Sequence, residues 1–457
     1  MAVGVEAPPG EAGGPGAPAR GASPAPGAAD GPPTAADLRA VARAVRRVAL
    51  RTPLLPCEPL SQATGASVWL KPENLQRTGS YKVRGAFARI RRLTRAQRRR
   101  GVIAASAGNH AQGVALAARG LGSPAVVVMP LNAPIAKIAA TRELGAEVVL
   151  SGETFEQAET EARRLAGDRG LTLVHPFDDW DVIAGQASVA LEVLADLPRV
   201  AGGPLQTLVV PTGGGGLLAG AVLAACTLPP DSRPRIVGVQ AAGADAAVRS
   251  VRAGEAVTLG GARTIADGIR VRRPGARPLQ ALLGAGVVPQ MVTVPDDEIA
   301  RAVVYLLERA KLVAEPAGAV GVAALLSGAL APAPGERVCV VLSGGNVDVN
   351  LVARLIEHGL TRAGRYLVLR TRLDDRPGQL AALLVPLSEM RVNVIDIEHR
   401  RAGWLLPVDQ SDVLLHLETR DAGQAREIIA RLRGEGYDVE PLTALPDEGP
   451  RAERDQR

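Results

Sequence analysis

Lysine is scarce in this chain. Of 53 basic residues only Lys71, Lys82, Lys137 and Lys311 carry an amine, and arginine supplies the rest. A guanidinium stays protonated, whereas an ε-amine can be desolvated, neutralised and used as a base or nucleophile. Cysteine is limited to Cys57, Cys226 and Cys339, spaced too widely for a zinc quartet or a redox pair. Such usage points to a reducing, cytoplasmic setting. Five histidines include no close pair, which argues against a histidine-rich metal site. Aromatic residues are only 2% of the chain, so Ala, Gly, Val and Leu must fill the core. The basic cluster Arg91, Arg92, Arg95, Arg98, Arg99 and Arg100 has no interleaved stacking residue and reads as a solvated helix end, not a nucleic-acid surface. No apolar stretch follows a basic start, so a secretory signal is not expected. The apolar run 317–333 is broken by Gly318, Gly321 and Gly328 and closed by Pro332 and Pro334, so it reads as a buried helix and not a membrane span.

What is present divides the 457 residues into two or three domains. Residues 1–33 are Ala/Gly/Pro-rich without hydrophobic period and are expected to be disordered. Thr34 and Asp37 then form a capping-box pattern for a helix through Val48, closed by Pro53 and Pro56. Short aliphatic runs at Val102–Ala105, 125–128, Glu147–Leu150, 171–174, 207–210, 235–239 and 338–341 read as strands. Their continuous apolarity is what parallel strands covered on both faces require, and the intervening lengths suit crossover helices. The fold class is therefore α/β. From Arg365 the order becomes strand, helix, strand, strand, helix, strand, a βαββαβ ferredoxin-like unit. The expected division is 34–100 with 179–360 as a large subdomain, 101–178 as a small one, 364–445 as the appended unit and 446–457 as a charged tail.

Three strands run into loops that each open a helix: Ser106-Ala107-Gly108-Asn109-His110, Pro211-Thr212-Gly213-Gly214-Gly215-Gly216 and Ser343-Gly344-Gly345-Asn346. Parallel sheets gather such loops at one edge, where ligands bind. Successive glycines permit close backbone approach, and free N–H groups at a helix start suit a phosphate. Upstream lies Gly79-Ser80-Tyr81-Lys82-Val83-Arg84-Gly85-Ala86, with one lysine beside one of four tyrosines. A lysine and a phosphate-binding loop together specify a phosphate-bearing aldehyde cofactor, with Lys82 as its Schiff-base lysine. The rival is a dinucleotide pattern at Gly214 through Ala219, but Gln240 stands where a ribose-binding acid belongs.

These residues resemble the fold type II pyridoxal-phosphate enzymes, and among them the threonine ammonia-lyases, from about Arg51 to His358. The Lys71-Pro72-Glu73-Asn74 block, Thr264 through Gly268, and Ala314-Glu315-Pro316-Ala317-Gly318 extend the likeness. The terminal unit resembles an ACT domain, with Asp375-Arg376-Pro377-Gly378-Gln379-Leu380 as its signature. The resemblance implies pyridoxal 5'-phosphate bound covalently to Lys82, with Tyr81 at one ring face. It implies Asn109 on the phenolic oxygen, Gly213, Gly214, Gly215, Gly216 and Leu217 on the phosphate, and Ser343 facing the ring nitrogen. Ser106, Asn109 and His110 would receive the substrate carboxylate. A plain core role for Tyr81 and a helix-capping role for His110 stand as alternatives. Lys71, Lys137 and Lys311 read as structural or surface residues, and Glu315 lies near the cofactor without an assigned role.

The implied reaction is β-elimination of L-threonine to 2-oxobutanoate and ammonia, and of L-serine to pyruvate, under an amino-acid effector bound at the ACT unit. A homodimer or homotetramer is expected, with no membrane or nucleic-acid partner. The alternatives are a serine dehydratase or racemase, and a non-enzymatic cofactor-binding sensor. Against racemisation, Ala107 carries no exchangeable proton where serine racemases have a serine. Gln240 and Ala246 replace the carboxylates of their divalent-metal site, so no metal is expected.

Overall fold

The computed structural model describes residues 31–362, 364–401 and 409–443. The disordered and charged tails expected from composition lie largely or wholly outside these residues. Thr34 caps the first helix, Ala35–Val45, accepting from the N–H of Asp37, while the Asp37 carboxylate receives the N–H of Thr34.

A six-stranded sheet runs in the order Leu55–Pro56, Ser67–Pro72, Arg337–Leu342, Thr207–Pro211, Arg235–Ala241, Gln290–Val294. All neighbours are parallel except the first pair. Its strands are buried alternately into two cores. Val68, Leu70, Val209, Val338 and Val340 face one, and Leu208, Val210, Ile236, Cys339 and Val341 face the other. That double burial is why these segments show unbroken apolarity instead of alternation. Each fully buried Val or Leu contributes roughly 1.5–3 kcal/mol against conformational entropy.

A second, four-stranded parallel sheet is ordered Glu147–Leu150, Ala125–Met129, Val102–Ala105, Thr172–Leu173. The apolar run 171–174 thus contributes a strand of two residues. Three strands were absent from the sequence reading: Leu55–Pro56, Ser67–Pro72 and Gln290–Val294. The apolar run after Glu315 is a helix, Pro316–Leu326, buried along nearly its whole length. None of the described helices is long and apolar enough to cross a membrane.

The terminal unit is an antiparallel sheet in the order Asn393–Arg400, Gln410–Glu418, Tyr366–Asp374, Val439–Pro441. Helices Gln379–Glu389 and Ala422–Gly434 supply Leu383, Leu387, Ile428 and Leu432 to its core. Burial alternates along its two central strands, because only one face is covered. This is the βαββαβ order anticipated from the sequence.

Candidate active site

The register of the large sheet sets three loops side by side. Leu342 pairs with Pro72, and Val340 with Val209, so the chain leaves Pro72, Leu342 and Pro211 at one carboxyl edge. The loop after Pro72 leads to Lys82. It is stitched to the loop after Leu342: the N–H of Tyr81 donates to the carbonyl of Ser343 (3.2 Å), and that of Gly345 to Gly79 (2.9 Å).

Lys82 opens the helix Lys82–Arg92, which no side chain caps. Its amine donates to the carbonyl of Pro176 (3.0 Å) and lies 5.3 Å from the centre of the Tyr81 ring. Burial lowers its pKa to about 8, opposed by the charge of Glu315. The helix is seated by glycine contacts on two neighbours. A Cβ at Gly185 would stand 2.5 Å from the Arg84 carbonyl oxygen, and one at Gly113 would stand 2.9 Å from the Val83 nitrogen.

Within the first turn of that helix, the buried charge of Arg84 fixes its roll. The Arg84 guanidinium donates to Glu73 (2.7 and 2.8 Å) and to Glu192 (2.8 and 3.0 Å). Lys71, fully buried, donates to Glu192 and to the Thr52 carbonyl, each at 2.7 Å. Two cations thus face two carboxylates, the neutral balance a buried network needs. Lys71 is structural. A surface cavity of about 420 Å³, lined by Arg46, Arg51, Glu192 and Asp196, lies behind this network and holds none of the predicted site residues.

The tetraglycine loop enters the helix Gly216–Ala225 through Gly215, at φ +93°, with no capping side chain. The N–H groups of Gly214, Gly215, Gly216 and Leu217 have no acceptor among the described residues, leaving an anion-ready helix start. The loop is closely hemmed: a Cβ at Gly214 would stand 2.5 Å from the Phe177 ring, and one at Gly216 2.9 Å from the Phe177 Cβ. Phe177 follows Pro176, the acceptor for Lys82, so the amine and the glycine loop flank the same segment.

Asn109 comes from the smaller sheet, at the first turn of helix Asn109–Gly120. Its Nδ2 donates to Glu315 (2.7 Å), and its Oδ1 accepts from Asn346 Nδ2 (2.7 Å). These bonds bring the loop after Ala105 to the edge of the large sheet. Ser106 Oγ accepts from the Gly108 N–H (3.1 Å), shaping that loop. The His110 side chain turns away into the core, where Nε2 donates to the Val174 carbonyl (2.8 Å). Burial above all lowers its pKa to about 3. What His110 offers the site is therefore its backbone N–H, which like that of Asn109 has no acceptor among the described residues. Ser343 is buried at the end of its strand, and Gln240 accepts the Val248 N–H at 2.8 Å.

The residues fit a pyridoxal phosphate. They offer an amine of lowered pKa, an open helix start behind a glycine cradle, and a free amide N–H. Sequence reasoning missed Phe177 and left Glu315 and Asn346 without roles. With three phenylalanines in the chain, Phe177 could have been noticed by rarity. The Glu315–Asn109 bond joins residues far apart in sequence and leaves no local signal.

The model of the pyridoxal-phosphate dependent enzymes matches residues 45–344, and that of the ACT domain residues 367–434. An L-threonine ammonia-lyase of Thermotoga maritima is 44% identical over 406 residues, 89% of this chain and 98% of that protein. The crystal structure of a T.th. threonine deaminase is similar at a TM-score of 0.64 and 42% identity, covering 69% of this chain and 99% of that one. Maize serine racemase is similar at 0.65 and 32%, covering 71% and 96%. The chain belongs to the fold type II pyridoxal-phosphate dependent enzymes and carries a C-terminal ACT domain.

Proposed function

We propose that this chain is a threonine ammonia-lyase, releasing ammonia from L-threonine to give 2-oxobutanoate, and from L-serine to give pyruvate. The observation that carries the reading is the convergence of the Lys82 amine, the Asn109 amide and the glycine loop on one sheet edge. Similarity to an L-threonine ammonia-lyase along most of the chain supports the substrate.

Bound there, pyridoxal 5'-phosphate supplies an electron sink for charge developing at the substrate α-carbon. The N–H groups of Gly213, Gly214, Gly215, Gly216 and Leu217 would hold its phosphate, and the Tyr81 ring lies beside the Lys82 amine. Lys82 Nζ, with its pKa lowered to about 8, takes the α-proton. The N–H groups of Asn109 and His110, with Ser106, receive the substrate carboxylate at a helix start. Ser343, buried at the end of its strand, would offer the ring nitrogen a hydroxyl, which could not hold a proton there as a carboxylate would. That favours prompt loss of the β-hydroxyl over transamination.

A racemase is the second reading, prompted by the likeness to maize serine racemase. It needs an acid on the opposite face, and Ala107, a methyl packed against an apolar cluster, provides none. A panel of L-threonine, L-serine and D-serine separates the two. Release of 2-oxobutanoate and ammonia is expected, and serine racemised without threonine turnover would overturn the lyase reading.

Residues 34–100 with 179–360, and 101–178, then form the two catalytic subdomains, and 364–445 the regulatory one. The regulatory unit binds an amino-acid effector and biases the oligomer, a homodimer or homotetramer in the cytoplasm. Removing everything after Gly364 should abolish the effector response, and an unchanged response would dispose of that role.

A further inference from the structure

Asn109 has both ends of its amide spoken for, and the polarity of that arrangement is fixed from outside. At one end, Asn346 Nδ2 donates to the Thr78 carbonyl and to Asn109 Oδ1, each at 2.7 Å. A backbone carbonyl can only accept, so Asn346 is locked with its nitrogen toward Asn109. At the other end, Asn109 Nδ2 meets Glu315 Oε1 at 2.7 Å, and an ionised carboxylate can only accept. Turning the Asn109 amide over would set nitrogen against nitrogen and oxygen against carboxylate. An amide nitrogen carries two hydrogens. With one given to Glu315, a single N–H of Asn109 is left to offer.

The surrounding backbone is cleared for this relay. A Cβ at Gly344 would collide with Glu315 Oε1 and stand 3.0 Å from Asn109 Nδ2, and one at Gly79 would collide with Asn346 Oδ1. Glu315 is buried, and its own N–H donates to the Gly344 carbonyl at 3.0 Å.

We propose that Glu315 is a positioning residue: through Asn109 it selects and aims the one amide N–H that meets the phenolic oxygen of the cofactor. The inference rests on the reading of Asn109 as a cofactor-binding residue. The groups acting on the carboxyl are Asp267, which raises its pKa, and the Asn109 hydrogen bond, Lys137 and Lys82, which lower it; the Tyr81 phenol also lies within its field. Burial is the largest cause and carries it up to about 7. The strength of the Asn109 bond therefore changes across neutral pH, since a protonated carboxyl is the weaker acceptor.

The test reads the cofactor, not turnover. Apoprotein is titrated with pyridoxal 5'-phosphate, and the absorbance of the bound form is followed across neutral pH, for wild type, Glu315→Gln and Asn346→Asp. Wild type should bind with a visible chromophore and show an absorbance step near the Glu315 pKa of about 7. Glu315→Gln should bind about tenfold more weakly, the scale of replacing a charge-assisted hydrogen bond by a neutral one, and should lack the step. Asn346→Asp, which replaces the far donor by an acceptor, should weaken binding in the same direction. A Glu315→Gln protein that keeps wild-type affinity and the step overturns the proposal, as does one that only melts earlier with an unchanged spectrum. If Glu315→Gln does not fold, wild-type affinity in Asn346→Asp overturns it. A wild type with no chromophore at all strikes the cofactor reading of Asn109 itself, a different failure.

Discussion

The Lys82 amine donates to the carbonyl oxygen of Pro176 across 3.0 Å, and the next residue, Phe177, lays its ring on Gly214. One short segment thus sets the spacing between the Lys82 amine and the glycine loop proposed to hold the cofactor phosphate. A methyl at Gly214 has to push that ring aside. Gly214→Ala should weaken cofactor binding about tenfold or more, a cost in the range of overpacking a tight site. Adding Phe177→Ala should restore part of the loss, as titration of the two apoproteins would measure.

The buried quartet of Lys71, Glu73, Arg84 and Glu192 gives a stability prediction. Arg84→Met leaves Glu73 and Glu192 buried with only Lys71 to face them. Denaturant unfolding of the catalytic region should show a loss of about 3–5 kcal/mol, the usual penalty for stranding a buried charge. Cofactor affinity should fall with it, because Arg84 sits two residues beyond Lys82 on the same helix.

Acid sensitivity follows from two neutral histidines. His110 and His175 both have pKa values lowered from 6.5 to about 3, chiefly by burial. As pH falls from 6.5 toward 3 the unfolded chain gains protons that the folded chain refuses, so stability falls with pH in that window. His175 Nδ1 accepts the N–H groups of Phe177 and Asp178, a task an asparagine oxygen can take over. His175→Asn should therefore flatten the acid side of a plot of unfolding midpoint against pH. Glu315 acts with the opposite sign: its carboxyl is raised from 4.5 to about 7, so its contribution is lost as pH rises through that range.

The sequence carried the parts of this molecule that follow local rules. Thr207–Pro211 and Arg337–Leu342 were legible because strands covered on both faces must be apolar throughout. The terminal domain was legible because its strands alternate and its turns are marked. Ser67–Pro72 was missed because it contains Lys71, whose charge is cancelled by Glu192 from 121 residues away. Gln290–Val294 was missed because it is an edge strand with polar positions at Gln290 and Thr293. The glycine loop and Lys82 stood out as motifs. The relay from Thr78 through Asn346 and Asn109 to Glu315 exists only once three loops are folded onto one edge.

Among the four lysines, Lys82 is the amine proposed for covalent chemistry. Lys71 is locked between Glu192 and Thr52, Lys137 reaches Asp267 at 3.2 Å, and Lys311 donates to the Glu308 carbonyl. Borohydride reduction of the holoenzyme followed by peptide mass mapping shows which amine the cofactor occupies. A reduced pyridoxyl group on Lys82 alone is the result predicted. Label on Lys71, Lys137 or Lys311 in its place, or on no lysine, would contradict it.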